Sequence, residues 1–165
     1  MSELQLPVGF MPLLGIDEAT LDDKNRVLVS RKKRERLGEN FAIAMCEAGC
    51  LACYPQMIWS QIVSQLLKRD VLDPTGQLYQ QLIFSTADDE IKFDPQNRFV
   101  LSSKLKAAAG IDEKIKLVGD GHRIQLWAAD KYDEFEKDRE HYELNKREIF
   151  ERAYLKLGEK PWVLR

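Results

Sequence analysis

No apolar run in the chain approaches the ~18 or more residues that a membrane-spanning helix needs, so a soluble protein is expected. The opening MSELQLPVGFMPLLG has no basic segment ahead of its short apolar patch, which argues against an export signal and for a cytoplasmic setting. Cysteine is scarce. Cys46, Cys50 and Cys53 are odd in number and crowded together, a poor start for a disulfide framework and one that suits a reducing compartment. Histidine is scarcer still: His122 and His141 stand apart, and no paired carboxylates or nucleophile arrangement accompanies them. Catalysis, a metal and a cofactor are therefore not expected. Net charge is small as well, since 27 acids against 25 bases leave −2, which taken whole speaks against a nucleic-acid partner.

The distribution of that charge reverses the conclusion. Between Lys24 and Arg36 lie seven bases (Lys24, Arg26, Arg31, Lys32, Lys33, Arg34, Arg36) and one acid, Glu35, a net +6 that leaves −8 for the remainder. A basic contact face on an acidic body has this signature. With 165 residues, 44% of them apolar, the chain can bury one core or two very small ones.

An internal repeat organises the chain. LDDKNRVLVSRKKRERLG, from Leu21, aligns with FDPQNRFVLSSKLKAAAG, from Phe93, at a constant offset of 72. Asp22 falls on Asp94, Asn25 on Asn97, Arg26 on Arg98, Ser30 on Ser102, Lys32 on Lys104 and Gly38 on Gly110. A one-residue insertion near Asp112 shifts the offset to 73, so that FAIAM meets KIKLV and Tyr54 meets Trp127.

Each copy reads alike. A turn in which Asn25 or Asn97 takes a positive φ leads into a short strand, Val27–Val29 or Phe99–Leu101. A short helix follows, with Ser30 or Ser102 as N-cap and Gly38 or Gly110 closing it. Then comes a hairpin, Phe41–Met45 with Cys50–Tyr54, or Ile115–Val118 with Arg123–Trp127. Met57, Ile58, Ile62, Val63, Leu66 and Leu67 recur at helical spacing after the first hairpin, and a second helix spans Leu78–Phe84. Asp73 to Gly76 should break the segment between them. After the second hairpin, Asp130–Leu157 reads as one charged helix in which Phe135, Tyr142 and Ile149 fall seven apart, and the tail KPWVLR has no period. Packing on the chain's own barrel is preferred for this helix over a coiled-coil contact.

The order strand, Asp-x-x-x-Arg turn, strand, capped helix, hairpin, helix, given twice with a helical linker, resembles the MraZ family of the AbrB-like swapped-hairpin barrels. The resemblance runs from about Leu14 to about Phe135 and includes QLIFSTADDEIKFD and LVGDGHRIQLWA. It implies an α+β fold in which two tandem β-rich repeats form one pseudo-symmetric swapped-hairpin barrel, with peripheral helices and a long C-terminal helix. The expected divisions are an N-terminal extension (1–13), a first repeat (14–69), a helical linker (70–86), a second repeat (87–135) and a C-terminal helix and tail (136–165). It further implies a nucleoid-associated transcriptional regulator, a ring-like homo-oligomer on tandem repeats in double-stranded DNA upstream of cell-division and cell-wall genes. The chain departs from the family pattern where Asn25 and Asn97 replace a glycine and where Ser30 and Ser102 replace a proline.

The site residues follow from both readings. Asp22 braces the turn and orients Arg26, whose guanidinium suits phosphate or the O6/N7 edge of guanine, and Lys24 and Asn25 share that turn. Without the resemblance, bracing alone is the commoner role for such a pair. Arg31, Lys32, Lys33 and Arg34 sit at a helix start where cations oppose the macrodipole, which favours a phosphate-facing role over a merely solvated one. The matching window of the second copy, Gln96–Ala108, carries only Arg98, Lys104 and Lys106, so Asp94 and Arg98 are assigned to turn bracing or subunit contact and the principal DNA contact to the first copy. The spacing CxxxCxxC is shared with radical enzymes that hold an iron–sulfur cluster. A predicted strand that points Cys50 and Cys53 to opposite faces, and Gly119, Arg123 and Leu126 at the matching places of the second copy, argue for structural thiols instead. The alternative function is a protein-interaction or assembly module that keeps the barrel without binding DNA.

Overall fold

The structure is a computed structural model that describes residues 3–68, 73–141 and 146–158. The first copy contributes β1 (Ile16–Thr20), β2 (Arg26–Leu28), α1 (Arg31–Leu37), β3 (Asn40–Met45) and β4 (Leu51–Pro55), followed by α2 (Gln56–Leu67) and α3 (Pro74–Thr86). The second contributes β5 (Asp88–Lys92), β6 (Arg98–Val100), α4 (Ser103–Ala108), β7 (Lys114–Gly119) and β8 (Ile124–Ala128), followed by α5 (Ala129–His141) and α6 (Lys146–Gly158).

The fold is α+β and antiparallel throughout its sheets. Six strands run in the order β1-β7-β8-β4-β3-β5, and β2 pairs with β6 in a separate ribbon. Exchanging the copies (β1 with β5, β3 with β7, β4 with β8) reverses that order onto itself, so a pseudo-two-fold passes between β4 and β8 and between β2 and β6. Each copy's first strand pairs with the other copy's hairpin: β1 with β7, and β5 with β3. Neither copy can complete its sheet alone. The closed barrel implied by the resemblance is not formed by strand pairing, because the six-stranded sheet ends at β1 and β5.

Composition explains the strand positions. The central strands NFAIAM and LACYP are buried along nearly their whole length, as a strand covered on both faces must be. The edge strands IDEAT and DDEIK carry acids, which discourage pairing with another chain. The β2–β6 ribbon turns Val27 and Phe99 inward, opposite each other, into the core. Phe99 meets Phe41 edge-on at a centroid separation of 5.3 Å, and Phe93 lies 5.2 Å from Phe41.

Local expectations fare unevenly. Both motif asparagines take the left-handed conformation, φ 56° for Asn25 and 66° for Asn97. Ser102 caps α4 by accepting the Leu105 N–H at 3.2 Å, whereas the Ser30 side chain makes no capping bond. Asp73–Gly76 open α3, a helix separate from α2, with Asp73 at its N-cap position and Pro74 in its first turn, where a missing N–H costs nothing. The α2 stripe is narrower than predicted: Ile58, Trp59 and Leu66 are buried while Met57 and Leu67 are exposed. Among the described residues, those up to Ala129 form one compact unit and those from Asp130 onward a second. The expected single helix over Asp130–Leu157 is described as α5 and α6; residues 142–145, with Tyr142, and the tail KPWVLR lie outside the described residues.

One glycine fixes how the segment before β1 seats on the sheet. Leu13 exchanges two backbone hydrogen bonds with Gly121, at 2.7 and 2.9 Å, and the Gly119 N–H donates to the Gly15 carbonyl at 2.8 Å. A Cβ on Gly119 would stand 2.5 Å from the Leu14 nitrogen and 2.6 Å from the Leu13 carbonyl, backbone atoms that cannot swing aside. Gly119→Ala is therefore expected to lower the urea unfolding midpoint by the equivalent of ~1–3 kcal/mol, the usual cost of overpacking. An unchanged midpoint would show that the Leu13–Gly15 segment is not seated there in solution.

Candidate nucleic-acid interface

The two Asp-x-x-x-Arg turns are built alike, bond for bond. In the first, the N–H groups of Lys24 and Arg26 donate to Asp22 Oδ1 at 3.0 and 2.9 Å, and Arg26 Nε donates to Oδ2 at 2.5 Å. In the second, Gln96 and Arg98 N–H donate to Asp94 Oδ1 at 2.9 and 3.0 Å, and Arg98 Nε to Oδ2 at 3.1 Å. The carboxylate thus cross-braces the loop and grips the guanidinium by one edge. In both turns the backbone N–H of the motif arginine is the chief reason that the aspartate pKa lies below its ordinary value, with the arginine's charge and side-chain bond helping against desolvation. Both carboxylates stay ionised through the neutral range and keep their hold.

The strand exchange brings the two turns side by side. Pairing of Arg26 with Val100, and of Leu28 with Arg98, places all four on the outer face of the ribbon, because Val27 and Phe99 between them point inward. Arg98 Nη1 comes within 3.8 Å of Asp22 Oδ2, so the second arginine reaches the first turn's carboxylate. Asn25 accepts the Leu101 N–H at 2.8 Å through its backbone carbonyl, and Asn97 accepts that of Val29 at 3.5 Å. Lys106, from the second copy, donates to the Asn25 side-chain carbonyl at 3.2 Å. The motif arginines keep 26% and 24% of their side-chain surface exposed, and among the described residues the terminal amino groups of Arg26 have no hydrogen-bond partner. The turn assigned to DNA contact and the turn assigned to bracing are thus alike in their bonds and share one face.

The basic run of α1 divides by face. Lys24 and Lys32 are exposed, and Arg31 is exposed while paired with Glu35 at 2.8 Å. Arg34 is half-buried and donates to the Val29 carbonyl at 3.2 Å. Lys33 corrects the sequence reading: it is only 4% exposed, and its ammonium donates to Asp17 Oδ2 at 2.9 Å. It ties α1 to β1 and presents no free charge to a phosphate. Helical periodicity could have flagged this, since Lys33 precedes the buried Leu37 by one turn on the same face.

Lys106 was missed as a neighbour of the first turn, because only the strand exchange brings it there. Cys53 lies in the core, as a structural thiol would, whereas the Cys46 and Cys50 sulfurs are 2.7 Å apart. Among the described residues no group of three or more His, Cys, Asp or Glu side chains is placed to hold a metal.

Sequence comparison agrees with this two-copy geometry. The family described as "MraZ protein, putative antitoxin-like" matches twice, over residues 13–81 and 83–157. A protein of Clostridium acetobutylicum named transcriptional regulator MraZ is 32% identical over 115 residues, covering 70% of this chain and 80% of its own. Proteins of the same name from Nitrosomonas europaea and Thioalkalivibrio sulfidiphilus are 31% and 33% identical, over 72% and 70% of this chain and 82% and 79% of theirs. Two clamped Asp-x-x-x-Arg turns on intertwined copies, and family matches over both, establish that the chain belongs to the MraZ family of transcriptional regulators.

Proposed function

We propose that the chain regulates transcription by binding double-stranded DNA through both Asp-x-x-x-Arg turns at once. The carrying observation is the pairing of β2 with β6, which sets Arg26 and Arg98 on one face with each guanidinium held by its own aspartate. A guanidinium gripped at Nε is fixed in orientation before it meets DNA, and its terminal amino edge suits guanine O6/N7 or a phosphate. Lys24, Arg31 and Lys32 are exposed around the first turn and supply phosphate contacts, with Asn25 shaping the loop. Asp22 and Asp94 act through the arginines they hold. Copies of the chain assemble as a ring-like homo-oligomer on the nucleoid, so that weak contacts to tandem repeats near cell-division and cell-wall genes add as avidity.

A second reading has its own observation. Leu28 and Val100, 60% and 57% exposed, stand between the arginines on the same outer face. Arginine beside exposed aliphatic carbon also suits a protein partner, which is the assembly-module reading.

Fluorescence anisotropy against DNA from the region upstream of the chain's own gene separates the two. Arg26→Ala and Arg98→Ala should each weaken binding about 5- to 150-fold, the equivalent of ~1–3 kcal/mol for an oriented arginine contact, with oligomer mass unchanged. Retained affinity in Arg98→Ala would return the second turn to a bracing role, and retained affinity in both would favour the assembly module. Salt gives an independent check on the lysines. Lys32→Gln should lower the slope of log affinity against log salt by ~0.9, one phosphate contact. Lys33→Gln should leave that slope unchanged and lower the unfolding midpoint, because it removes the buried partner of Asp17. A slope change with Lys33→Gln and none with Lys32→Gln would overturn this division of the basic run.

A further inference from the structure

The β3–β4 hairpin carries a feature that DNA binding does not use. Its turn, Cys46–Cys50, is closed by the Cys46 N–H donating to the Cys50 carbonyl at 2.9 Å and the Gly49 N–H donating to the Cys46 carbonyl at 3.1 Å. Gly49 supplies the positive φ, 79°, that so short a loop needs. The closure stacks the two thiols face to face, with Cys46 Sγ and Cys50 Sγ 2.7 Å apart. The turn does not need sulfur to form, since the corresponding positions of the second hairpin hold Gly119 and Arg123.

From this juxtaposition we propose that Cys46 and Cys50 are a reversible thiol–disulfide site, oxidised by hydroperoxides to an intrachain disulfide across the hairpin turn. Reaction starts at Cys46, which keeps 8% of its surface exposed against 2% for Cys50. The next residue, Glu47, is exposed and lines an open cleft of about 540 Å³. The Cys46 thiolate attacks one peroxide oxygen; an S–O bond forms, the O–O bond breaks, and the departing oxygen leaves as water or an alcohol with the proton Cys46 gave up. Cys50 Sγ then attacks the sulfenyl sulfur; the S–S bond forms, the S–O bond breaks, and hydroxide leaves as water with the Cys50 proton. Two thiols lose two electrons and the peroxide gains them. A dithiol reductant reverses the step.

The electrostatics agree with the assignment of roles. The facing Cys50 thiol is the main cause that holds Cys46 below the ordinary thiol value, with backbone N–H groups and the Arg123 charge assisting against burial. Cys50 moves upward for the same reason, as the member that keeps its proton. Cys53, wholly within the core, is pushed up to about 12 by burial alone and stays a spectator. The disulfide would fix the turn from which Glu47 grips Arg123 Nη2 at 2.6 Å and so couple redox state to the contact between the two hairpins.

The test uses the full chain, treated with graded hydrogen peroxide, denatured, labelled with N-ethylmaleimide and weighed intact. The reduced protein should take up three labels, one for each free cysteine. The oxidised protein should be two hydrogens lighter and take up one label, and dithiothreitol should restore the rest. Cys53→Ala should retain the two-hydrogen loss, and Cys50→Ser should abolish it. Should Cys53→Ala fail to fold, the wild-type tryptic peptide decides: a Cys46–Cys50 link suppresses fragmentation between Cys46 and Cys50 and places the single label on Cys53. Addition of two oxygens to one cysteine, a link involving Cys53, or a disulfide-linked dimer would each overturn the proposal.

Discussion

Val27 opposite Phe99 is the pairing on which the rest of the molecule depends. These residues sit at the centre of a two-stranded ribbon only three residues long on each side, and both are fully buried against Phe41 and the sheet core. So short a ribbon cannot persist on its hydrogen bonds alone; burial of its inner face fixes it. Period-two alternation does the remainder. Once Val27 and Phe99 face inward, Arg26, Leu28, Arg98 and Val100 must face outward, and two turns separated by 72 residues in sequence become neighbours.

The charge of the chain is sorted by the same fold. Motif arginines are gripped by their own aspartates and stay on the surface, Lys33 is drawn into the interior by Asp17, and Lys24 and Lys32 remain in solvent. Edge strands hold acids, so the basic ribbon and helix stand out against an otherwise acidic body. A chain of net charge −2 can thereby present a cationic face without becoming cationic overall.

Much of this was legible in the sequence, because it is local. The repeat offset, the left-handed asparagines, the two hairpins and the Asp–Arg clamp depend on residues within a few positions of each other, where turn chemistry and alternation speak directly. What escaped was set by long-range pairing. No local signal tells β1 to pair with β7 in place of its own hairpin, or brings Lys106 to Asn25. The unequal charge of the two copies suggested unequal turns, whereas strand pairing depends on the inward residues and is indifferent to that charge. Lys33 was misread because a run of cations conceals which one lies on the buried stripe of a seven-residue helix.

The copies agree and differ in an ordered way. Asp, Asn and Arg recur in both turns, and their hydrogen bonds match bond for bond, as a pseudo-two-fold surface for a repetitive ligand requires. The hairpin turns diverge: thiols at Cys46 and Cys50 in one, Gly119 and Arg123 in the other. That divergence is complementary, since Arg123 donates to Glu47 beside the thiols, to Asp120 at 2.8 Å in its own turn and to the Tyr54 hydroxyl at 3.3 Å. A strictly symmetric chain would set two arginines, or two thiol pairs, against each other across the β4–β8 seam. Asymmetry at the hairpins lets one turn supply the cation and the other the carboxylate, so the seam is held by an ion pair between the largely buried Arg123 and the exposed Glu47 while the arginine face keeps its symmetry.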